Sequence, residues 1–454
     1  MYAPTRRTFI RQAACAALTT SGLLNTIFDL RRLSAAPISA TAGDYKALVC
    51  LFLYGGNDAN NVIVPHDANG YASYAAARGA LAIPQASLLP LTLLNGDGRD
   101  FGFHPNLVEL QALFNQGKLG IVSNVGTLVA PITRSQYLAG GAAVPPQLFS
   151  HADQSVQWQT SVPDQVSKTG WGGRMGDALK SLNGNSQISL CISIAGTNTF
   201  EVGNTVIPYT VSSNGSVGLA GFDGSANANV RLQAFKDLLA LPHHNLFEQA
   251  FSDTVSRSIA ANELLTTALA GVPALQTVFP ATSLSNQLKM IANLIAARSN
   301  LGMQRQIFFC SVGGYDTHGD QLNGQANLLT ELSQALNAFY SATNELGVAQ
   351  NVTTFTASDF GRTFPTNGGG SDHGWGSHQF VLGGAVQGAR LFGTFPTLAI
   401  NGPDDTGQGR WIPTTSVDEF SATLATWFGV SASELSTVLP NIGRFAHPNL
   451  GIFG

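Results

Sequence analysis

Three near-continuous apolar runs, each breaking into a polar segment that carries an aspartate, constrain this chain more than any other feature. Residues 306–312 (Gln306, Ile307, Phe308, Phe309, Cys310, Ser311, Val312) lead into Gly313-Gly314-Tyr315-Asp316-Thr317-His318-Gly319. Residues 47–53 lead into Tyr54-Gly55-Gly56-Asn57-Asp58, and residues 352–357 into Ser358-Asp359-Phe360-Gly361-Arg362. Apolar runs of this length fit strands buried on both faces of a mainly parallel sheet. Open α/β sheets place their functional groups at the carboxyl ends of such strands. Taken alone, Asp316 and His318 fit either half of a metal site or a polar turn. Three carboxylates on one rim are different, because they repel and are costly to desolvate unless a cation sits among them. The set therefore points to a divalent metal, and requires Asp58, Asp316 and Asp359 to approach one another in one crevice.

A second glycine-flanked cluster, Gly368-Gly369-Gly370-Ser371-Asp372-His373-Gly374-Trp375-Gly376-Ser377-His378, precedes a further strand beginning at Phe380. His373 reads either as a ligand or as a loop-stabilising hydrogen-bonding group, and His378 as the latter. Mixed His/Asp shells suit zinc or manganese better than calcium, with magnesium also open.

The first residues describe an address. Thr5-Arg6-Arg7-Thr8-Phe9-Ile10 matches a twin-arginine export signal, followed by an apolar stretch from Ala13 to Leu24. Ala40-Thr41-Ala42 offers small residues for cleavage before Gly43, with Ala35-Ala36 as a competing site. The apolar stretch is too short to span a bilayer, so residues 1–42 read as a signal peptide and the mature chain as lacking a membrane span. The expected partner is the twin-arginine translocase, and the expected location periplasmic or secreted. Residues 1–42 hold five Arg and one Asp; without them, the totals of 23 basic and 27 acidic residues become 18 and 26, a net charge of −8. An acidic chain with no basic run is a poor nucleic-acid binder. Cys50, Cys191 and Cys310 each lie in apolar runs and read as buried thiols.

Between the first and last of these strands, Phe103-His104-Pro105-Asn106-Leu107 opens a helix with apolar spacing at Leu107, Leu110, Leu113 and Phe114. Residues 119–126 form the next strand, in β-α-β order. An irregular and helical insertion is expected around 196–300, with helix over 245–297 broken near Pro273 and Pro280, and another helix over 328–346. Alternating strands and helices imply an α/β fold: a mostly parallel sheet with helices on both faces, over a single domain spanning 43–454.

In order along the chain come the twin-arginine start, Gly55-Gly56-Asn57-Asp58, His104-Pro105-Asn106-Leu107, Ser150-His151-Ala152-Asp153-Gln154, Thr169-Gly170-Trp171, Asp316-Thr317-His318-Gly319, Ser358-Asp359-Phe360-Gly361-Arg362 and Asp372-His373-Gly374. Together they resemble the bacterial domain-of-unknown-function 1501 family over essentially the whole mature chain. That family is similar in turn to the alkaline phosphatase and sulfatase superfamily. The resemblance implies an alkaline-phosphatase-like fold, with Asp58, Asp316, His318, Asp359 and His373 where metal ligands are expected. It implies hydrolysis of a phosphate or sulfate ester, an anionic substrate, with metal polarising the ester and a side chain attacking.

The expected nucleophile follows the second strand, near Val129-Ala130-Pro131-Ile132-Thr133-Arg134-Ser135. Pro131 and Arg134 resemble the sulfatase loop, but no Cys is present there, so formylglycine chemistry is excluded at that loop. Either Thr133 or Ser135 attacks, with Arg134 binding the anion bidentately, or the loop is a polar turn. Phe360 stands where the phosphatases carry His, and Asp316 and His318 are more closely spaced than theirs, so one metal is the expected maximum. His151 and Asp153 read as helix-start residues, with assistance to the site from a neighbouring loop as the alternative, and Asn57 as orienting Asp58 or a substrate oxygen, or forming a turn. Two functions remain in competition: an exported metal-dependent hydrolase, or a non-catalytic envelope or secretion-associated protein on a phosphatase-like scaffold.

Overall fold

The three aspartate-bearing runs are neighbouring strands. The computed structural model describes residues 44–454 apart from 185, 217, 220 and 223, so the expected signal peptide lies outside the described residues. In chain order the strands are β1 (Lys46–Leu53), β2 (Ile63–Pro65), β3 (Leu89–Pro90), β4 (Phe101–Phe103), β5 (Leu119–Gly126), β6 (Cys191–Ser193) and β7 (Tyr209–Ser212). Then follow β8 (Gly215–Ser216), β9 (Arg305–Val312), β10 (Val352–Ser358), β11 (Ser377–Gly383), β12 (Leu391–Phe392) and β13 (Thr415–Ser416). The main sheet has ten strands in the order β12-β5-β11-β10-β1-β9-β6-β7-β8, with β13 also on β5, and β2-β4-β3 form a small separate sheet.

Strand β1 pairs in parallel with β10 on one side and β9 on the other. The register puts Leu53 beside both Ser358 and Val312, so the three strands finish level. Most pairings are parallel; β11 is antiparallel to both β10 and β5, and at the far edge β8 is antiparallel to β7. The β-α-β expectation for β5 is modified accordingly. β5 does run parallel to β1, but β11 and β10 lie between them.

Both sheet faces are covered, which explains the near-continuous apolar runs. Val49, Leu51 and Leu53 of β1 enter one core, with the helices Val108–Asn115, Ser283–Ala296 and Gln321–Glu345. Leu48, Cys50 and Phe52 enter the opposite core, with Trp158, Trp171, Phe420 and Phe428 from the helices His151–Thr160, Trp171–Leu179 and Val417–Phe428. Within the expected insertion, β7 joins the main sheet, and the helices Leu246–Ala270 and Ser283–Ala296 flank the break containing Pro273 and Pro280. Tyr45–Gly454 is one compact unit. Among the described residues no helix is long and apolar enough to cross a membrane.

Helix Gln321–Glu345 begins seven residues before the expected start at 328. Its first turns lack apolar periodicity because Gln321 and Gln325 turn amides toward a buried polar network: Gln325 Nε2 donates to the Asp58 carbonyl (2.8 Å) and Gln321 Nε2 to the Asp58 carboxylate.

Cys50, Cys191 and Cys310 are free and buried, and burial holds all three thiols above their ordinary range. Near them lies Glu201, fully buried, with one carboxyl oxygen accepting from Asn198 Nδ2 (2.8 Å) and the Ile192 backbone also drawn toward the carboxyl. Burial pushes its pKa up to about 8, against the pull of Asn198. A carboxyl raised from 4.5 to about 8 binds its proton in the folded chain where the unfolded chain has lost it. Its contribution is full below about pH 4.5 and is lost as the pH rises toward 8. Glu201→Gln should flatten the pH dependence of stability across that window and leave the variant more stable than wild type near pH 8. Denaturant unfolding at several pH values checks this; parallel curves would refute it.

Candidate metal centre

The rim is assembled from the loops that follow the three level strands. After β1 the chain turns through Gly55 (φ 117°) and Gly56 (φ 81°), conformations that side chains resist. A methyl on Gly55 would run into the Asp316 backbone, and one on Gly56 into the Phe360 ring. These glycines let the loops after β1, β9 and β10 close on one another. Gly55 N–H then donates to Asp359 (3.0 Å).

Asp316 sits at the centre. Its Oδ1 lies 3.0 Å from His318 Nε2 and 3.2 Å from His373 Nε2, and its Oδ2 lies 3.5 Å from His151 Nε2. The ligand atoms of His151, Asp316 and His373 all fall within 4.8 Å of one another. Ligands roughly 2.0–2.2 Å from a tetrahedral zinc would be separated by about 3.4 Å, so this spacing suits one ion.

The tautomers make the stronger test of fit. His151 Nδ1 meets Asp359 Oδ2 at 2.6 Å, His318 Nδ1 meets Asp372 Oδ1 at 3.1 Å, and His373 Nδ1 meets the Phe149 carbonyl at 2.7 Å. Each acceptor holds a proton on Nδ1, which leaves the Nε2 lone pair of each neutral ring facing Asp316. His151 Nε2 is buried with no hydrogen-bond partner, and the Nε2 atoms of His318 and His373 lie 3.0 Å apart. Lone pairs converging on a carboxylate repel unless protons or a cation lie between them. The donor set fits a divalent cation.

The electrostatics keep the set ready. Burial raises the Asp316 carboxyl, but hydrogen bonding and charge from Arg362 outweigh it and hold the group below the usual carboxylate range. Burial lowers the His373 pKa and Arg362 adds to the lowering, while the Phe149 carbonyl and Asp316 oppose it. A neutral imidazole and an ionised carboxylate are the forms that bind metal. Arg362, whose side chain has no exposure, donates to Asp316 Oδ1 (2.7 Å), to the Gly55 carbonyl (3.2 Å) and to the Ser371 carbonyl, tying three loops together. Phe360 packs against the rings of His151 and His373, with centroids 4.7 and 4.6 Å away.

Of the residues expected as ligands, Asp316, His318 and His373 meet directly. Asp359 reaches them through His151, and also accepts from Ser155 Oγ (2.9 Å). Asp58 does not join them: its buried carboxylate pairs with Arg78 and accepts from Gln321, with Asn60 N and Nδ2 at 3.2 and 3.1 Å on the other oxygen. A guanidinium supplies there the positive charge that the sequence pattern suggested a metal would. Thr133 caps the helix Arg134–Ala139, bonding Gln136 and lying 3.1 Å from the Ser135 hydroxyl, while Arg134 donates to Asn401 Oδ1 (3.3 Å). Among the described residues no imidazole or carboxylate is hydrogen-bonded to either hydroxyl. His378 serves the frame, its Nδ1 accepting from the Asn124 backbone N–H (3.0 Å), and burial lowers its pKa to about 3. His151 is the functional residue that sequence reasoning undervalued, since the first position of a helix explains a polar residue equally well.

Fold and site together define an α/β protein with a candidate His/Asp metal centre at the carboxyl rim of its sheet. The chain belongs to a protein family of unknown function, DUF1501, whose pattern matches residues 45–438. None of the curated proteins searched by sequence matches it. Among solved structures it is similar to a sulfatase from Pseudoalteromonas sp., at 9% identity and TM-score 0.34, covering 90% of this chain and 71% of that one. A phosphonate monoester hydrolase from Silicibacter pomeroyi has 10% identity and TM-score 0.34, with 85% and 73% coverage. The lipoteichoic acid synthase LtaP from Listeria monocytogenes has 8% identity and TM-score 0.34, with 89% and 78% coverage.

Partners that orient metal-binding imidazoles commonly contribute 10–100-fold in affinity. Asp359→Asn should therefore weaken zinc binding by roughly that factor, read by competition with a chelating dye. An unchanged affinity would show that Asp359 does not orient His151 for a metal.

Proposed function

We propose that this chain is an exported, metal-dependent hydrolase of phosphate or sulfate esters on an alkaline-phosphatase-like scaffold. The observation that carries the reading is the convergence of the three Nε2 atoms on Asp316, each imidazole fixed from behind by its own acceptor. His151, His373 and Asp316 would hold one divalent ion, with His318 beside them; zinc and manganese suit this shell better than magnesium or calcium. Bound there, the ion supplies Lewis acidity toward the ester and lowers the pKa of an attacking group. Asp359, Asp372 and the Phe149 carbonyl keep the protons on Nδ1, and Arg362 keeps Asp316 ionised and in place. The Asp316 side chain is 46% exposed, so an ester has access to the rim.

Export to the periplasm or beyond by the twin-arginine translocase is part of the proposal and rests on Arg6, Arg7 and the apolar stretch after them. Attack by Thr133 or Ser135 through a covalent intermediate also belongs to it. One observation favours the alternative of a non-catalytic envelope or secretion-associated protein: the Thr133 hydroxyl is engaged in a helix cap, and among the described residues neither hydroxyl is hydrogen-bonded to an imidazole or carboxylate.

Metal analysis of the full chain exported by its own pathway, followed by a screen of phosphate and sulfate monoesters, separates the two readings. The hydrolase reading expects stoichiometric divalent metal, its loss in His151→Ala and His373→Ala, and turnover that chelation abolishes. A metal-free protein without turnover would sink it. Thr133→Ala and Ser135→Ala address the nucleophile separately. Losing a true nucleophile should cost at least about a thousandfold in kcat, whereas unchanged rates would reject both hydroxyls.

A further inference from the structure

Asp405 is buried and accepts four backbone N–H groups, from Asn401 (2.7 Å), Gln408 (3.1 Å), Gly409 (2.7 Å) and Arg410 (3.1 Å). Several donors on one carboxylate fix the 401–410 loop. The loop ends at Arg410, which bears on the His373 backbone and the Phe149 ring. Arg410 Nε donates to the His373 carbonyl (2.8 Å), and the guanidinium lies over the Phe149 ring, 4.3 Å from its centroid. The carbonyl of that same Phe149 fixes the His373 imidazole. Phe149 holds a φ of 73°, a conformation uncommon for a bulky residue and characteristic of functional sites.

Stacking and the Nε bond spend one side of the guanidinium on position. Among the described residues its two terminal nitrogens have no hydrogen-bond partner and Arg410 pairs with no carboxylate. The other arginines nearby are differently used. Arg362 is buried and committed to Asp316, Gly55 and Ser371. Arg134, the residue expected to bind the anion, donates to Asn401 on the same loop that carries Arg410, and its Nε is buried without a partner. A half-buried guanidinium with a free planar fork, immobilised before any ligand arrives, is suited to bidentate recognition of a tetrahedral oxyanion.

We propose that Arg410 binds the anionic end of the substrate ester, an assignment that rests on the metal-dependent hydrolase reading and names its recognition residue. Titration calorimetry with inorganic phosphate and with sulfate, on the zinc-loaded full chain, tests it. Wild type should bind at least one of the two anions. Arg410→Gln should weaken that binding about tenfold or more, Arg410→Lys should retain part of it, and the zinc content of all three should be equal. Unchanged anion affinity in Arg410→Gln overturns the assignment while leaving the metal centre and ester turnover standing. Loss of zinc in both variants also overturns it, because Arg410 would then only support His373. A zinc-loaded wild type that binds neither anion overturns it too, and failure of the hydrolase reading itself is recognised separately by absent zinc uptake and absent turnover.

Discussion

The level, parallel pairing of β1 with β9 and β10 is the constraint on which the rest of the molecule depends. Because Leu53 stands beside Val312 and Ser358, three loops leave the sheet at one height. Glycine is then needed at 55, where two backbones pass closely, and at 56, where the Phe360 ring packs. Polar groups that would be scattered on another topology are compressed onto one rim. A single buried guanidinium, Arg362, holds them there by bonding a carbonyl after β1, the carboxylate of Asp316 after β9 and a carbonyl at Ser371. Hydrogen bonds of this kind in a low-dielectric interior are strong when complete and costly when broken. The rim therefore has little freedom to rearrange.

Much of the sheet is legible in the sequence. A strand covered on both faces has no charged side, so 47–53, 306–312 and 352–357 stand out as near-continuous uncharged, mostly apolar runs, and the glycines after them mark the turns. Strand order is another matter, since it is a property of the whole chain: nothing in residues 119–126 announces that β11 and β10 separate β5 from β1. The early start of the helix at Gln321 is hidden for a related reason. Its first residues face Asp58 and so break the apolar periodicity by which helices are recognised.

The candidate site divides in the same way. Asp316, His318 and His373 are visible as polar residues beside glycines, because loops at strand ends carry such groups. His151 is ambiguous, because a helix start accepts a polar residue for ordinary capping reasons. Asp58 misleads for the opposite reason: an aspartate at a strand end predicts a cation, and the cation is Arg78, twenty residues on in an otherwise unremarkable helix. Arg410 is invisible in sequence, because its significance comes from Phe149 and His373, both distant along the chain.

The Asp58–Arg78 pair has a consequence for what a purified sample would contain. Its charge is balanced by the protein itself, and the two cores that cover the sheet are built from apolar side chains. Metal binding at the proposed centre would then be separable from folding, unlike a zinc finger in which the two are one event. Which cation the proposed centre would hold follows competition, where zinc outranks manganese at equal supply. The metal found in a preparation would be a record of the medium as much as of the protein, and ion replacement in a folded sample becomes a practical way to compare one metal with another on identical coordinates.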